Sequence, residues 1–280
     1  MKGFSNYHTH CNFCDGSGSM TDVVESALRL GLASLGFSSH APLPFSTSWA
    51  MKIEKLSEYL QTIQSLKAQY QGKLQIHLGF EVDYIPGITG PGRMKEHKPD
   101  YLIGSLHYVD SKSLLTIDYT VEEFEKLIDH FPGGVREMVE RYYELTGEMA
   151  EKEAPDIIGH MDLVRMNNTG NRFFSERDTW YRNAVDSALH KIATAGSIVE
   201  VNTAPMKRGK GFYPSPWILE RCLALKIPLT MNSDSHKPEH LDCGFSEAAR
   251  LIRETGHQEL MVRTESGWSS RKFDQQGIIW

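Results

Sequence analysis

Short apolar runs in this sequence end repeatedly in a residue that can bind a cation or carry a proton. Tyr7-His8-Thr9-His10 leads to Asp15-Gly16. Then come Ser38-Ser39-His40, Glu81 with Asp83, Ser105-Leu106-His107, Gly159-His160-Met161-Asp162, Glu200-Val201-Asn202 and Asn232-Ser233-Asp234-Ser235-His236. Imidazole nitrogens mixed with carboxylate oxygens suit divalent ions such as Zn, Mn or Fe. Side chains alternate along a strand, so His8 and His10 are expected on one side, and Asp234 with His236 likewise. Two such pairs from different strands make chelates, and Glu81 adds a carboxylate able to bridge two ions. Six histidines (His8, His10, His40, His107, His160, His236) and three carboxylates (Asp15, Glu81, Asp234) thus predict a multinuclear metal site. His77, His97, His130, His190, His240 and His257 read as ordinary polar or surface residues.

Such residues need strands to deliver them. Strand-prone runs fall at 3–7, 34–38, 74–83, 100–105, 156–159, 197–202 and 227–232. Helical stretches fall between them, at 21–31, 51–71, 134–152, 177–195, 215–225 and 245–255. In 51–71, Ile53, Leu56, Leu60, Ile63 and Leu66 recur at helical spacing and predict one buried face. Ser19 or Thr21 is the expected N-cap of the first helix. Repeated strand–helix units imply a parallel sheet, and about seven of them fit one closed barrel, with an open doubly wound sheet as the alternative. In parallel barrels the strand C-termini carry the active site, which is where the His, Asp and Glu residues fall.

Composition narrows the function classes. The chain has 280 residues, 40% apolar and 24% charged, with a net charge of −6. An acidic chain without basic runs argues against nucleic acid as the main partner. No stretch approaches the roughly 18 apolar residues of a membrane span, and the N-terminus lacks a signal-peptide core. A cytoplasmic, membrane-free protein is expected. Cys11 and Cys14 form a C-x-x-C without a second such pair, so a zinc ribbon is unsupported. Nucleophile-elbow, Walker and dinucleotide fingerprints are absent. Arg165, just past Asp162, has the planar fork that suits a phosphoryl group. Lys207, Arg208 and Lys210 are a second cationic candidate, and Asn202 is a candidate substrate contact.

As an ordered set, His8-Thr9-His10 with Asp15-Gly16, His40, Glu81, His107, Gly159-His160-Met161-Asp162 and Asn232-Ser233-Asp234-Ser235-His236 resembles the motifs of the PHP (polymerase and histidinol phosphatase) superfamily. More narrowly, Leu35-Gly36-Phe37-Ser38-Ser39-His40-Ala41-Pro42-Leu43-Pro44 is similar to its monofunctional histidinol-phosphate phosphatases. The resemblance spans residues 7 to about 240. It implies a distorted (β/α)7 barrel, here one domain over 1–280, with three divalent metals. His8, His10, Glu81 and Asp234 would hold the first, Glu81, His107 and His160 the second, and Asp15, His40 and His236 the third. Some relatives carry a His near position 15, whereas Asp15 matches the broader superfamily.

The resemblance further implies hydrolysis of a small phosphate monoester, L-histidinol phosphate. The alternatives are phosphatase action on other small monoesters and a nucleic-acid exonuclease or phosphodiesterase. Asp15, His40, Glu81 and Arg165 are the expected catalytic residues, and Arg165, Asn202 and Trp49 the expected substrate contacts. Asp83 and Glu200 are candidates for the substrate ammonium. Phe45 and Trp49, or Phe212, Tyr213 and Trp217, are candidates for covering its ring.

Overall fold

A computed structural model describes residues 2–279, without the side chains of Lys2 and Arg208. In chain order the elements are β1 (Lys2–Gly3), β2 (Ser5–Asn6), α1 (Met20–Leu30), β3 (Ser34–Phe37), α2 (Leu56–Gln69), β4 (Gln75–Asp83) and β5 (Tyr101–Ser105). Then follow α3 (Val121–Ile128), α4 (Gly134–Glu153), β6 (Ile157–Ile158), α5 (Thr179–Ala195), β7 (Ile198–Asn202), α6 (Pro216–Ala224), β8 (Leu229–Asn232), α7 (Phe245–Glu254), β9 (Glu259–Thr264), β10 (Gly267–Asp274) and β11 (Gly277–Ile279).

Strands β2 to β8 form one parallel sheet in sequence order. Its edges meet beyond the strand ends: Thr9 and Ser235 bridge in parallel, and His10 N donates to Ser235 O at 2.8 Å. The sheet therefore closes into the distorted seven-stranded barrel that the sequence predicts, and all seven expected strands are present.

Alternation along the strands divides the core in two. Leu78, Phe80 and Val82 of β4, and Val199 and Val201 of β7, pack outward against the helices. Tyr7, Tyr101, Ile103, Ile157 and Ile198 fill the barrel interior. Tyr101 fits because Gly36 and Gly79 flank it. A Cβ at either position would stand 2.2 or 2.3 Å from its side chain.

The last strands build a second, antiparallel sheet of order β1–β11–β10–β9. The β9–β10 hairpin packs against the interior cluster at the barrel base. Trp268 meets Tyr7 edge-on at 5.2 Å and donates to Asp156 Oδ1 at 2.9 Å. Arg263 N donates to the Tyr7 hydroxyl at 2.8 Å.

Helix starts follow local chemistry. Ser19 caps α1 in a reciprocal capping box with Asp22. The buried face of α2 is Leu56, Tyr59, Ile63 and Leu66. Ile53 was expected on that face but lies in a 3-10 turn and is 68% exposed, because the chain has not yet entered the α-helix. Among the described residues no helix is long and apolar enough to cross a membrane.

Candidate metal centre

Each residue of the cluster arrives from a different part of the barrel mouth. His8 and His10 follow β2, on either side of the bridging Thr9. Glu81 and Asp83 share a face of β4, and His40 bridges in parallel to Glu81. His107 and His160 follow β5 and β6. Asp234 and His236 follow β8, but not as alternating strand residues. The strand ends at Asn232, and Asp234 adopts a left-handed φ of 48°, so a turn brings its carboxylate beside His236. A non-glycine residue in that conformation is strained, and such strain concentrates at functional sites.

The donor atoms converge. His8 Nε2 lies 3.2 Å from Glu81 Oε2 and 3.5 Å from Asp234 Oδ1. His10 Nε2 lies 3.1 Å from Asp234 Oδ1 and 3.5 Å from Glu81 Oε2. His40 Nδ1 and His160 Nε2 reach the two oxygens of Glu81 at 2.8 and 2.9 Å. Asp15 Oδ1 lies 3.4 Å from His236 Nε2 and 3.8 Å from His40 Nε2. Two ligands bound about 2.1 Å from one ion stand about 3–3.4 Å apart, so several of these separations are those of shared ligation.

A metal fits these residues on a second ground. His8 Nε2, His10 Nε2, His40 Nδ1 and Glu81 Oε2 are all buried and make no hydrogen bond. Leaving such atoms unsatisfied is costly. The ring orientations explain which nitrogen is available. A carboxylate only accepts, so His8 donates Nδ1–H to Glu200 Oε1 at 2.7 Å, and His107 donates Nδ1–H to Asp83 Oδ1 at 2.8 Å. Each Nε2 lone pair is then turned inward, the arrangement that orients metal-binding histidines.

Among the described residues, three groups have donor atoms close enough to hold an ion: His8, Glu81 and His160; His8, His10 and Asp234; and His10, Asp15, His40 and His236. They overlap the three expected sets but differ from them. Glu81 is not grouped with His8, His10 and Asp234, His8 joins Glu81 and His160, and His10 joins the third group. His107 falls outside all three, its Nε2 being 3.9 Å from Glu81 Oε1.

Charge is arranged to keep the carboxylates ionised. Burial would raise the Glu81 pKa, but His40, His8 and the bond from His160 hold it well below the usual range. Asp234 is likewise lowered against burial, by His8 and His10. Asp83 favours positive charge on the buried His107 ring and raises its basicity, as it would for a ring bound to a cation. The cluster opens to solvent at Asp15 and His236, whose side chains are 32% and 38% exposed.

Other expected site residues are placed differently. Asn202 was expected to touch substrate but is fully buried. Its Nδ2 donates to Glu200 Oε2 and to Asp234 Oδ2, so it braces the cluster from below. Arg165 was expected as a free clamp, yet it pairs with Asp162 and, at 2.8 Å, with Glu176. Asp83 is engaged by His107. Glu200 accepts from His8, His160 N, Asn202 and Asn232. Asp83 and Glu200 thus support the imidazoles of His107 and His8. Phe212 lies in the core, and Trp217 packs on Tyr181. Trp49 does reach the centre, edge-on to His40 at 4.6 Å. Sequence reasoning missed Ser105, whose hydroxyl donates to Glu81 Oε1 at 2.7 Å, while Cys14 of the C-x-x-C has its sulfur 3.5 Å from His10 Nδ1.

A closed parallel barrel with His and carboxylate donors gathered at its mouth defines a metal-binding α/β barrel. The PHP domain model matches residues 6–204, and the chain belongs to that family. It is 29% identical over 269 residues to a probable histidinol-phosphatase of Deinococcus radiodurans, covering 94% of this chain and 98% of the relative. It is also 29% identical over 267 residues to the histidinol-phosphatase of Bacillus subtilis, covering 88% and 97%. The crystal structure of histidinol phosphate phosphatase from Lactococcus lactis, complexed with Zn, L-histidinol and phosphate, has the same fold. It gives a TM-score of 0.70 at 22% identity and covers 99% of each chain.

Proposed function

We propose that this protein is a divalent-metal-dependent phosphatase that hydrolyses L-histidinol phosphate to L-histidinol and inorganic phosphate, a step of histidine biosynthesis. The observation that carries the reading is the set of buried, unsatisfied imidazole and carboxylate atoms aimed at common points. Its substrate is supported by the two relatives named histidinol-phosphatase that match nearly end to end. Residues 1–280 are read as one domain. A cytoplasmic location is supported by four free cysteines, which suit a reducing compartment. No nucleic-acid or membrane partner is required.

Three ions of the Zn, Mn or Fe class are proposed. His8, His10, Glu81 and Asp234 would hold the first, Glu81, His107 and His160 the second, and Asp15, His40 and His236 the third. Bound there, divalent ions supply Lewis acidity, lowering the pKa of water toward neutrality and taking up phosphoryl charge. The chain's own groups do the rest. Glu81 spans the centre, with one oxygen fixed by Ser105. Glu200 and Asp83 fix the imidazoles of His8 and His107. Asp15, at the solvent side, and the buried His40 stand 3.8 Å apart and would both be committed to the third ion, so the departing alkoxide takes its proton from water. Trp49 walls the ring side and excludes water. Arg165 is balanced by two carboxylates, so phosphoryl charge falls mainly to the ions.

The test is a panel assay with metal-loaded protein on L-histidinol phosphate, a sugar phosphate, p-nitrophenyl phosphate and a short single-stranded DNA. A preference for histidinol phosphate of about 100-fold in kcat/KM, about 2.7 kcal/mol, supports the reading. Comparable rates on all monoesters indicate a broad phosphatase, and faster DNA cleavage indicates a nuclease.

A further inference from the structure

Glu200 is engaged inside the protein through both oxygens and Asp83 through Oδ1, and a third carboxylate near the barrel mouth, Asp118, offers a substrate amine a further acceptor. Asp118 is half-buried, and among the described residues its carboxylate makes no hydrogen bond or ion pair. Its place is fixed by the backbone. Tyr108 and Thr116 bridge antiparallel, and Ile117 N donates to His107 O at 3.0 Å. Asn167 Nδ2 donates to Ile117 O at 2.9 Å and to Thr120 O at 3.4 Å, bracketing Asp118 from the other side. Residues 116–118 therefore lie along the chain that delivers His107. Asp118 stands within electrostatic reach of His107, Tyr108 and Tyr142. The other nearby carboxylate on this segment, Glu123, already accepts from Thr116 N and Oγ1.

Aromatic rings meet the same histidine. Trp49 lies edge-on to His107 at 5.8 Å and stacks on Tyr108 at 6.3 Å with a 26° tilt. Phe45 meets Tyr108 edge-on at 5.8 Å. The segment that carries Asp118 and a flat aromatic wall thus both lie beside the chain that delivers His107.

We propose that Asp118 binds the protonated amine of the substrate while Trp49 and Tyr108 form the wall for its ring. This side of the mouth then selects a cationic, ring-bearing amino-alcohol phosphate over a plain phosphate ester. With histidinol phosphate as the substrate, on which the assignment rests, the phosphoryl group binds at the ions and the ammonium at Asp118.

The experiment compares L-histidinol phosphate with imidazolylpropyl phosphate, which has the same ring and ester but no amine. Metal-loaded wild type, Asp118→Asn and Asp118→Glu are assayed. A charge-assisted hydrogen bond of ordinary strength predicts that wild type favours the amine ester by about tenfold or more. Asp118→Asn should erase most of that preference, chiefly through KM, and Asp118→Glu should restore part of it. Equal losses on both esters, or an intact preference in Asp118→Asn, overturns the proposal. Calorimetric titration with L-histidinol gives a readout independent of turnover, and equal affinity of wild type and Asp118→Asn also overturns it. If wild type binds L-histidinol through Asp118 but hydrolyses neither ester, the phosphatase reading fails and the amine site stands. If both esters turn over equally well, the amine site fails and the phosphatase reading stands.

Discussion

Glu200 shows how much of this centre depends on residues that would not touch an ion. It is fully buried, and burial alone would raise its pKa, but His8 holds it below the usual carboxylate value. It fixes the His8 tautomer and the His160 backbone at once. Glu200→Gln keeps the shape but places an amide where His8 needs an acceptor. Loss of such a support typically costs about 10–100-fold in metal affinity. We expect that drop in a metal titration followed by calorimetry, with the far-UV spectrum unchanged. Unaltered affinity would remove Glu200 from the centre. Arg165 separates two roles in the same way. Removing it strands the fully buried Asp162, and an uncompensated buried charge costs about 3–5 kcal/mol. Arg165→Ala should therefore lower the melting temperature by several degrees. A phosphoryl clamp would instead lose about 10²–10³ in kcat/KM at constant stability.

At the scale of elements, the strands were legible because each carries its own period and ends in polar punctuation. Helix α3 was not picked out, although Thr120 caps it by accepting from Glu123 N at 3.1 Å. The segment is short, and its acidic residues mask the apolar pair Phe124 and Leu127. The β9–β10 hairpin was missed for a different reason. Trp268 finds its partners Tyr7, Tyr101 and Asp156 at the barrel base, far away in sequence, so no local pattern announces them. Site ligands at strand ends were legible in kind. Asn202, Arg165, Asp83 and Glu200 lie where the sequence puts them along the chain, but their protein partners were not legible, because local pattern does not say which side chain a polar tip meets. His77 of β4 gives an element-level test. It is buried beside Ser34, with Asp100, Lys67 and Arg263 around it, and burial lowers its pKa to about 4. The neutral ring is favoured in the fold, so stability is complete above about pH 6.5 and is lost as pH falls toward 4. The loss amounts to about 3 kcal/mol. The difference between wild-type and His77→Gln unfolding curves should shrink by that amount across the window. Parallel curves would reject the assignment.

For the molecule as a whole, the centre concentrates unsatisfied donors on loops that also close the barrel. The Thr9–Ser235 bridge that seals the sheet lies between His8 and His10 on one side and beside Asp234 and His236 on the other. Ions bound there would tie the first and last strands of the barrel through their ligands, so occupancy should stabilise the closure as well as the site. A ligand that binds only the folded state adds about 2.7 kcal/mol when present at 100 times its dissociation constant. At about 2–4 °C per kcal/mol for a chain approaching this size, one site gives a shift of roughly 5–10 °C, and more with several sites filled. Exhaustive chelation should lower the melting temperature by at least that much, and re-addition of zinc or manganese should restore it. Hydrogen exchange should locate the loosening at residues 7–10 and 232–236, with the β9–β10 base unchanged. A chelated protein that melts where the loaded one does, with the same exchange pattern, would mean that no ion links the two edges of the barrel.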